Sequence, residues 1–592
     1  MDRKSILIVV ACIGLLVGWN VLVNKLYPPK PLPPQSTNVL ATAQSPALTN
    51  ATATSTSSVP ALGALSTNVV RIVETNLPEE TVVITNQSAR YTFTTHGGGL
   101  KLIELTGVAT SREKKSGHIP VLNAQAPSPA LAILDGEAVQ GNGIFRLTSS
   151  GNTVRAEKQL PNGLVIIKEF TPTSNYLVSA TVRLENHSGQ PLVLPETKWV
   201  IGTATPLTVD DAGLTEGVFW SNGSDNQDIS GTWFANRKLG CIPGTPRTEY
   251  REGQNNVAWA AVHNQFFTLI AMPKEPGNQV FAHPIDLPSP GADEVRTNSR
   301  AVRNPKGYEA ALVYPPTTLA ASQTTQRDIT LYAGPKEYQT LVSVSTQFNK
   351  NVDAVMGYTG FFGFFSKMLL LGMNGLHSML SLPYGWCIIA ITVIIKLLFW
   401  PLTAASTRSM KRMQALQPQM KAIADKYKDD PVKKNQKTME FMKENKVNPI
   451  GGCLPMLLQM PVFIGFFYMI RSAIELRGAT FLWVPDLSRP DTLFMIPGIN
   501  FPFNLLPIIM GVTMFWQAQL TPPSPGMDPM QQKIMRYMPL MFMVFLYNYS
   551  SGLALYWTIN NLLTILQTKL TRTQPLTPAT AGPALTSPKK KH

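Results

Sequence analysis

The sequence predicts an α-helical membrane bundle of six transmembrane helices joined to an all-β sandwich domain outside the cytoplasm, and three observations predict it. Near Asn351 the 592-residue chain changes from Thr/Asn/Pro-rich to Met/Phe/Leu-rich, so a mean hydropathy of +0.02 averages two unlike parts. The first part is a series of short alternating runs separated by turn residues, the pattern of half-buried strands. The second part holds several apolar runs that approach the thickness of a bilayer.

Taken in order, the run 5–23 follows Asp2-Arg3-Lys4 and contains Asn20 as its one strongly polar residue. It is long enough to span, and its basic flank predicts a cytoplasmic N-terminus. No small-x-small site precedes Tyr27-Pro28-Pro29, so residues 1–27 read as an uncleaved anchor. Cys12 lies too early in the run for a lipoprotein site. Residues 28–67 are Pro/Ser/Thr/Ala-rich and almost uncharged, which cannot bury a core and predicts a disordered tether.

Residues 68–345 carry strand signals such as Thr81-Val82-Val83-Ile84, Leu164-Val165-Ile166-Ile167 and Tyr176-Leu177-Val178-Ser179-Ala180. Repeated strands without helical periodicity predict a large sandwich. Its His96, His187 and His263 are scattered and read as structural. Metal-ligand spacing, a nucleophile elbow and a phosphate loop are all missing from the sequence here, so neither a cofactor nor enzymatic chemistry is expected. Of the four cysteines, Cys12, Cys387 and Cys453 sit in apolar runs, which leaves Cys241 alone and excludes an internal disulfide framework.

The remainder, 383–570, offers spans at 384–406, 450–470, 503–520, 537–549 and 552–570, preceded by a run at 358–382 that polar residues interrupt. Charge parity orders them. Eleven Lys and Arg lie between 408 and 446, and the tail 571–592 ends Lys589-Lys590-Lys591; both belong in the cytoplasm by the positive-inside rule. That holds if 358–382 lies flat in the outer leaflet as an interfacial amphipathic helix. It also requires 537–570 to be a hairpin, turned at Asn548-Tyr549-Ser550-Ser551-Gly552. With 51 Lys+Arg against 36 Asp+Glu, the basic balance admits nucleic acid, anionic lipid or a ribosome. Its place beside the spans favours lipid and ribosome, and DNA is not expected.

Two anomalies point to function. Lys396 lies inside an apolar run, where a cation costs about 2.5–3.5 kcal/mol on the mildest scale, and no Asp or Glu occurs in the five later spans. Either it snorkels to the cytoplasmic face or it lines a hydrated groove. Thr392 shares its helix face, while Asn560, Thr564 and Gln567 form a second polar stripe, and Gln459 and Gln517 add one amide to each of two more helices. Such residues also glue helices together. The second anomaly is length: the apolar stretches 505–520 and 537–549 cover about 20–24 Å against a core near 30 Å, and short spans thin the bilayer around them.

The segment 407–446 reads as a helical hairpin turned at Asp429-Asp430-Pro431. Met410, Met413, Leu416, Met420 and Ile423 recur at helical spacing on its first arm, with Pro418 a kink, and Met439, Phe441 and Met442 on its second. Helix-on-helix packing is the default meaning of such stripes; Met-rich faces also suit sequence-indifferent capture of apolar segments.

Several motifs carry a resemblance: Tyr384-Gly385-Trp386, Pro401-Leu402-Thr403, Lys446-Val447-Asn448-Pro449-Ile450-Gly451-Gly452-Cys453-Leu454-Pro455, Leu457-Leu458-Gln459-Met460-Pro461-Val462-Phe463, Met510-Gly511-Val512-Thr513-Met514-Phe515 and Ser551-Gly552-Leu553-Ala554-Leu555-Tyr556-Trp557. Over 358–570 the chain resembles the YidC/Oxa insertase family in its Gram-negative form. Trp259-Ala260-Ala261-Val262-His263-Asn264 and Leu331-Tyr332-Ala333-Gly334-Pro335 resemble that form's periplasmic domain more weakly.

The resemblance implies a β-supersandwich similar in fold to sugar mutarotases, without their activity. It also implies an inner-membrane insertase and chaperone that works alone or with the Sec translocon on nascent membrane proteins. It places Lys396 at the groove position where the family usually has Arg, and Thr392 at a matching Thr. Trp557 stands where Tyr is common. The substrate groove is then Lys396, Thr392, Gln459, Gln517, Trp557 and Asn560, and the substrate-receiving hairpin presents Met410, Met413, Met420, Met439 and Met442. Ribosome contact through the basic loop and tail and contact with membrane lipids complete the expected partners.

Overall fold

The computed structural model describes residues 78–108, 119–209, 211, 213, 215–237, 244–297, 300–427, 430–445, 454–497, 501–520 and 529–571. The N-terminal anchor, the tether, the tail beyond Thr571, and Cys12, Cys241 and Cys453 lie outside the described residues.

Period-two alternation builds the first part. Along Leu177–Asn186, Val178, Ala180, Val182 and Leu184 turn into one core, because successive side chains leave a strand on opposite faces. A nine-stranded antiparallel sheet runs in the order 226–230, 217–221, 259–263, 267–273, 324–335, 177–186, 164–172, 153–159, 146–150. A five-stranded sheet (250–252, 279–286, 306–314, 197–204, 133–134) and a four-stranded one beginning at Thr81–Thr85 complete the sandwich. Phe93, Leu100, Phe170, Trp199 and Leu312 fill the space between them.

The nine-stranded sheet is covered on its other face too. Leu177, Phe219, Trp259, Ile270 and Tyr332 point away from the sandwich core and join Tyr338, Leu341 and Val344 of helix α1 (Tyr338–Phe348). Phe267–Pro273 is therefore buried at every position, as a strand covered on both faces must be. The same apolar cluster continues through Val352, Val355 and Met356 into the helical part.

That part comprises α2 (Gly360–Leu380), α3 (Tyr384–Leu398), α4 (Trp400–Lys426), α5 (Pro431–Glu444), α6 (Leu454–Ser472), α7 (Leu505–Leu520), α8 (Pro529–Phe545) and α9 (Ser551–Leu570). Among the described residues no single helix is long and apolar enough to cross a membrane. Only α2 and α3 pass together, and they are bent by 117°. The chain turns between them at Ser381, which is in the left-handed region (φ 51°), with Pro383 next but one.

The expected span 384–406 is divided. Helix α3 stops at Leu398 and α4 starts afresh at Trp400 with proline in its first turn, because Pro401 has no N–H to continue the ladder. Pro418 lies inside α4 without ending it. The expected span 503–520 begins late, since Phe501–Asn504 is a strand paired antiparallel with Thr492–Ile496, a hairpin the sequence reading did not contain. Helices α8 and α9 are separate, as the turn residues around Asn548 suggest. The arms α4 and α5 form the hairpin, and Asp430 caps α5 by accepting from the Lys433 amide at 3.0 Å.

Candidate substrate groove

Lys396 projects from the last turn of α3 and is half-buried. Its ammonium donates to the Thr564 hydroxyl of α9 at 2.9 Å and to the Gln459 carbonyl oxygen of α6 at 3.5 Å. No carboxylate of a described residue pairs with it. Gln459 in turn donates through Nε2 to the Tyr556 hydroxyl at 2.7 Å, and the Tyr556 ring stacks on Phe466 at 4.0 Å. Three helices thus meet around one cation through neutral groups only. Thr564 donates onward to the Asn560 backbone carbonyl at 2.7 Å, so its hydroxyl is oriented by its own helix and its lone pairs are left to the lysine.

The other expected groove residues divide. Asn560 is buried one turn from Thr564, with its side-chain oxygen unpartnered, in keeping with a polar lining. Thr392 is buried and bonds the Ile388 carbonyl at 2.6 Å; its hydroxyl is spent on its own helix. Gln517 sits half-buried on α7. Trp557 makes no polar contact to the lysine. It stands between two helices, with Phe463 of α6 at 4.4 Å and Phe542 of α8 at 5.9 Å. The aromatic that does reach the polar cluster is Tyr556, which sequence reasoning missed. The available signal was its place in one apolar helix face whose only hydroxylated ring it is, one residue from the tryptophan that the family pattern emphasised.

Toward the hairpin, Gln567 of α9 bonds the Trp400 carbonyl at 3.3 Å and the Thr403 hydroxyl at 2.5 Å. Lys411 of α4 reaches the Thr571 carbonyl at 2.7 Å. Within the hairpin, Met413, Leu416, Met420 and Met442 are buried together, with Phe441 against them, so three of the expected receiving methionines form the hairpin's own core. Met410 is half-buried, and Met439 is 54% exposed.

Among the described residues of the sandwich, the buried charges lie in the packed interior. Its buried titratable groups fall in small separate contacts. Glu309 lies 3.5 Å from His283 and is pushed up to about 7 by burial. Burial and then the Lys336 ammonium, 3.4 Å from its Nδ1, hold the His263 imidazole below its usual range. No group of three or more His, Cys, Asp or Glu among the described residues could hold a metal.

A helical core with a cation held by neutral side chains, carried beside a large β-sandwich, defines a two-part class of protein. Residues 375–576 match the 60Kd inner membrane protein family, and residues 81–371 match the YidC periplasmic domain. A membrane protein insertase YidC of Neisseria gonorrhoeae is 34% identical over 455 residues, 72% of this chain and 76% of that protein. One from Oleidesulfovibrio alaskensis is 30% identical over 593 residues, covering 96% of this chain and 98% of its own. A solved structure of an active YidC insertase with its first transmembrane domain resolved is 18% identical, spans 85% of this chain and 96% of that one, and has a TM-score of 0.33. The chain belongs to the YidC family of membrane protein insertases.

Proposed function

We propose that this protein inserts and helps to fold integral membrane proteins by binding them, without covalent chemistry, alone or together with the Sec translocon. The observation that carries the reading is Lys396, an intramembrane cation held by a hydroxyl and an amide at 2.9 and 3.5 Å. Neutral partners leave its charge uncancelled, so a hydrated groove open to the cytoplasm and to lipid must solvate it. An incoming segment meets the α4–α5 hairpin, its polar flank enters beside Lys396, and its apolar body leaves into lipid between α6 and α8, past Trp557. Transfer of apolar surface into the bilayer drives the step, and no nucleotide is needed.

The topology belongs to the same reading: six spans, both termini cytoplasmic and the sandwich periplasmic. Its supports are the basic hairpin, which reaches the C-terminal end of α9, and the common end shared by the N-termini of α3, α7 and α9, described below. The basic loop suits a ribosome bearing nascent membrane proteins.

The test is the Lys396 series, read as protease protection of inserted clients in depleted cells, with abundance checked by blot. Lys396→Arg keeps activity, Lys396→Glu loses it roughly tenfold or more, the equivalent of ~1.4 kcal/mol, and Lys396→Ala impairs clients with acidic tails most. Full activity of Lys396→Ala at normal abundance would remove the groove charge from the mechanism. Single cysteines at Ser224 and Asn435 in a cysteine-free chain should label from opposite sides of the membrane; same-side labelling ends the topology.

A further inference from the structure

The segment between α6 and α7 is bolted to the first turns of three helices. The Phe481 ring lies against the Gly385 backbone at the start of α3, with no room for a Cβ there, and sits 5.5 Å from Trp386. Asp491 accepts from the Leu506 amide of α7 at 2.7 Å. The Ser551 and Gly552 amides of α9 donate to the carbonyls of Arg489 and Leu487 at 2.8 and 2.9 Å. The hairpin Thr492–Ile496/Phe501–Asn504 then runs directly into α7, and Asn504 donates to the Tyr547 carbonyl, just beyond α8, at 2.8 Å. The segment therefore lies at the level where these helices begin, at the end of the bundle away from the basic hairpin.

Its two acids are bonded internally and Phe481, Val484 and Leu487 are buried, while a second set of apolar side chains stands outward. Asp491 is committed to the α7 amide and to the Trp483 indole N–H at 3.1 Å, while the Asp486 side chain accepts from Ser488. Two side-chain tips stand outward: Leu482, 72% exposed, beside Trp483, and, on the strand Thr492–Ile496, Phe494, 53% exposed, between Leu493 and Met495 and stacked on Phe503 across the hairpin. Leu482 is held at φ +50°, a region that leucine rarely adopts, and the strain aims an aliphatic side chain off the end of a turn. At the same level Trp386 of α3 and Met379 and Leu380 of α2 are also exposed.

We propose that these two tips insert into the outer leaflet of the bilayer and hold the periplasmic end of the bundle at a set depth, a reading that rests on the membrane placement proposed above. Lipid is the occupant because the tips continue the apolar girdle around the helix N-termini. They present aliphatic and aromatic side chains with the indole N–H internally satisfied, the chemistry of a membrane interface belt. The exposed Arg489 next to them suits the phosphate level of the headgroups.

The experiment places single spin-labelled cysteines at Leu482, Phe494, Ile394 and Ser224 in the cysteine-free full chain, reconstituted in phosphatidylethanolamine/phosphatidylglycerol vesicles. Relaxation by oxygen is compared with relaxation by a water-soluble nickel chelate. Labels at Leu482 and Phe494 should favour oxygen several-fold over the label at Ser224. Preference for the nickel reagent at both tips overturns the proposal; protection from both reagents also overturns it, by assigning the tips to a protein partner. Ile394, 52% exposed on α3, separates the two levels. If it is lipid-accessible while the tips are aqueous, only this inference falls, and if all are aqueous the membrane reading falls with it. Photolabelling of the unsubstituted chain by a lipid-borne diazirine, mapped to 478–497, gives the same answer should a labelled variant not accumulate, with absence of adducts there counting against the proposal.

Discussion

Lys168 of the sandwich and Lys396 of the bundle both turn inward, but their surroundings differ in kind. Lys168 occupies a core-facing position on Leu164–Pro172 and donates to the carbonyls of Gly97 and Leu131 at 2.7 and 2.8 Å, with the rings of Phe145 and Trp199 at 4.4 and 5.4 Å. Its partners are backbone and packed aromatics, which cannot move away without unfolding the sheet. Lys396 is held only by a hydroxyl and an amide, side-chain groups that can rotate and exchange the lysine for water at little cost. The first environment fixes its lysine in the packed sheet, and the second leaves its lysine exchangeable, as the proposed groove requires.

Three experiments sharpen or break that comparison, beginning with the largest effect. Trp199 is 1% exposed and shields Lys168; Trp199→Ala should destabilise the sandwich by about 3–5 kcal/mol, measured as a fall in Tm of the full chain in detergent. A matching loss of client insertion at equal abundance would mean that the sandwich takes part in turnover.

Gln459→Leu takes one acceptor from Lys396 and leaves the Tyr556 hydroxyl without its donor. The expected outcome is a several-fold drop in insertion, the equivalent of about 1 kcal/mol, larger than the accompanying fall in Tm. The reverse pattern, normal insertion and lowered Tm, would place Gln459 among the structural groups and make the bundle lysine like the one in the sandwich.

The smallest effect belongs to Lys168→Met. Burial pushes the Lys168 ammonium down to about 7, against about 10.4 for an unperturbed lysine. Between those values the unfolded chain binds more protons than the folded one, so this group's contribution to stability rises with pH from about 7 to about 10 and is level below. Lys168→Met should leave stability unchanged or slightly raised and flatten that slope in Tm against pH. A strong loss of stability at every pH would show that the carbonyl and ring contacts outweigh the cost of burying the charge.

Much of the fold is legible in the sequence because local periodicity is itself the cause of burial. Val178, Ala180, Val182 and Leu184 enter the core as their alternation requires. Met413, Leu416 and Met420 are buried as their helical spacing requires. What the methionine stripe did not disclose is its partner: Met442 arrives from the other arm and closes the cluster, leaving less of the stripe free to receive a passenger than the sequence suggests. The expected span over 384–406 runs past Pro401, a residue the motifs include, and its missing N–H divides the span there. The hairpin at Thr492–Asn504 was not legible, since only its last two residues fall in the expected span 503–520 and strand pairing between 492–496 and 501–504 alone defines it. Likewise Tyr556 and Trp557 are neighbours in the chain but about 100° apart around a helix, enough to send one to the polar cluster and the other to the seam between α6 and α8.

By itself the sequence determined the division into a β part and an apolar helical part, the basic side of the bundle, and the presence of a lysine that no nearby acid neutralises, since each follows from composition, periodicity or charge counted along the chain. Only the tertiary structure decided which groups hold that lysine. Gln459 is 63 residues away and Thr564 is 168, and hydrogen bonds act over about 3 Å, so no local pattern can record which distant side chains the packing of three helices will bring within reach.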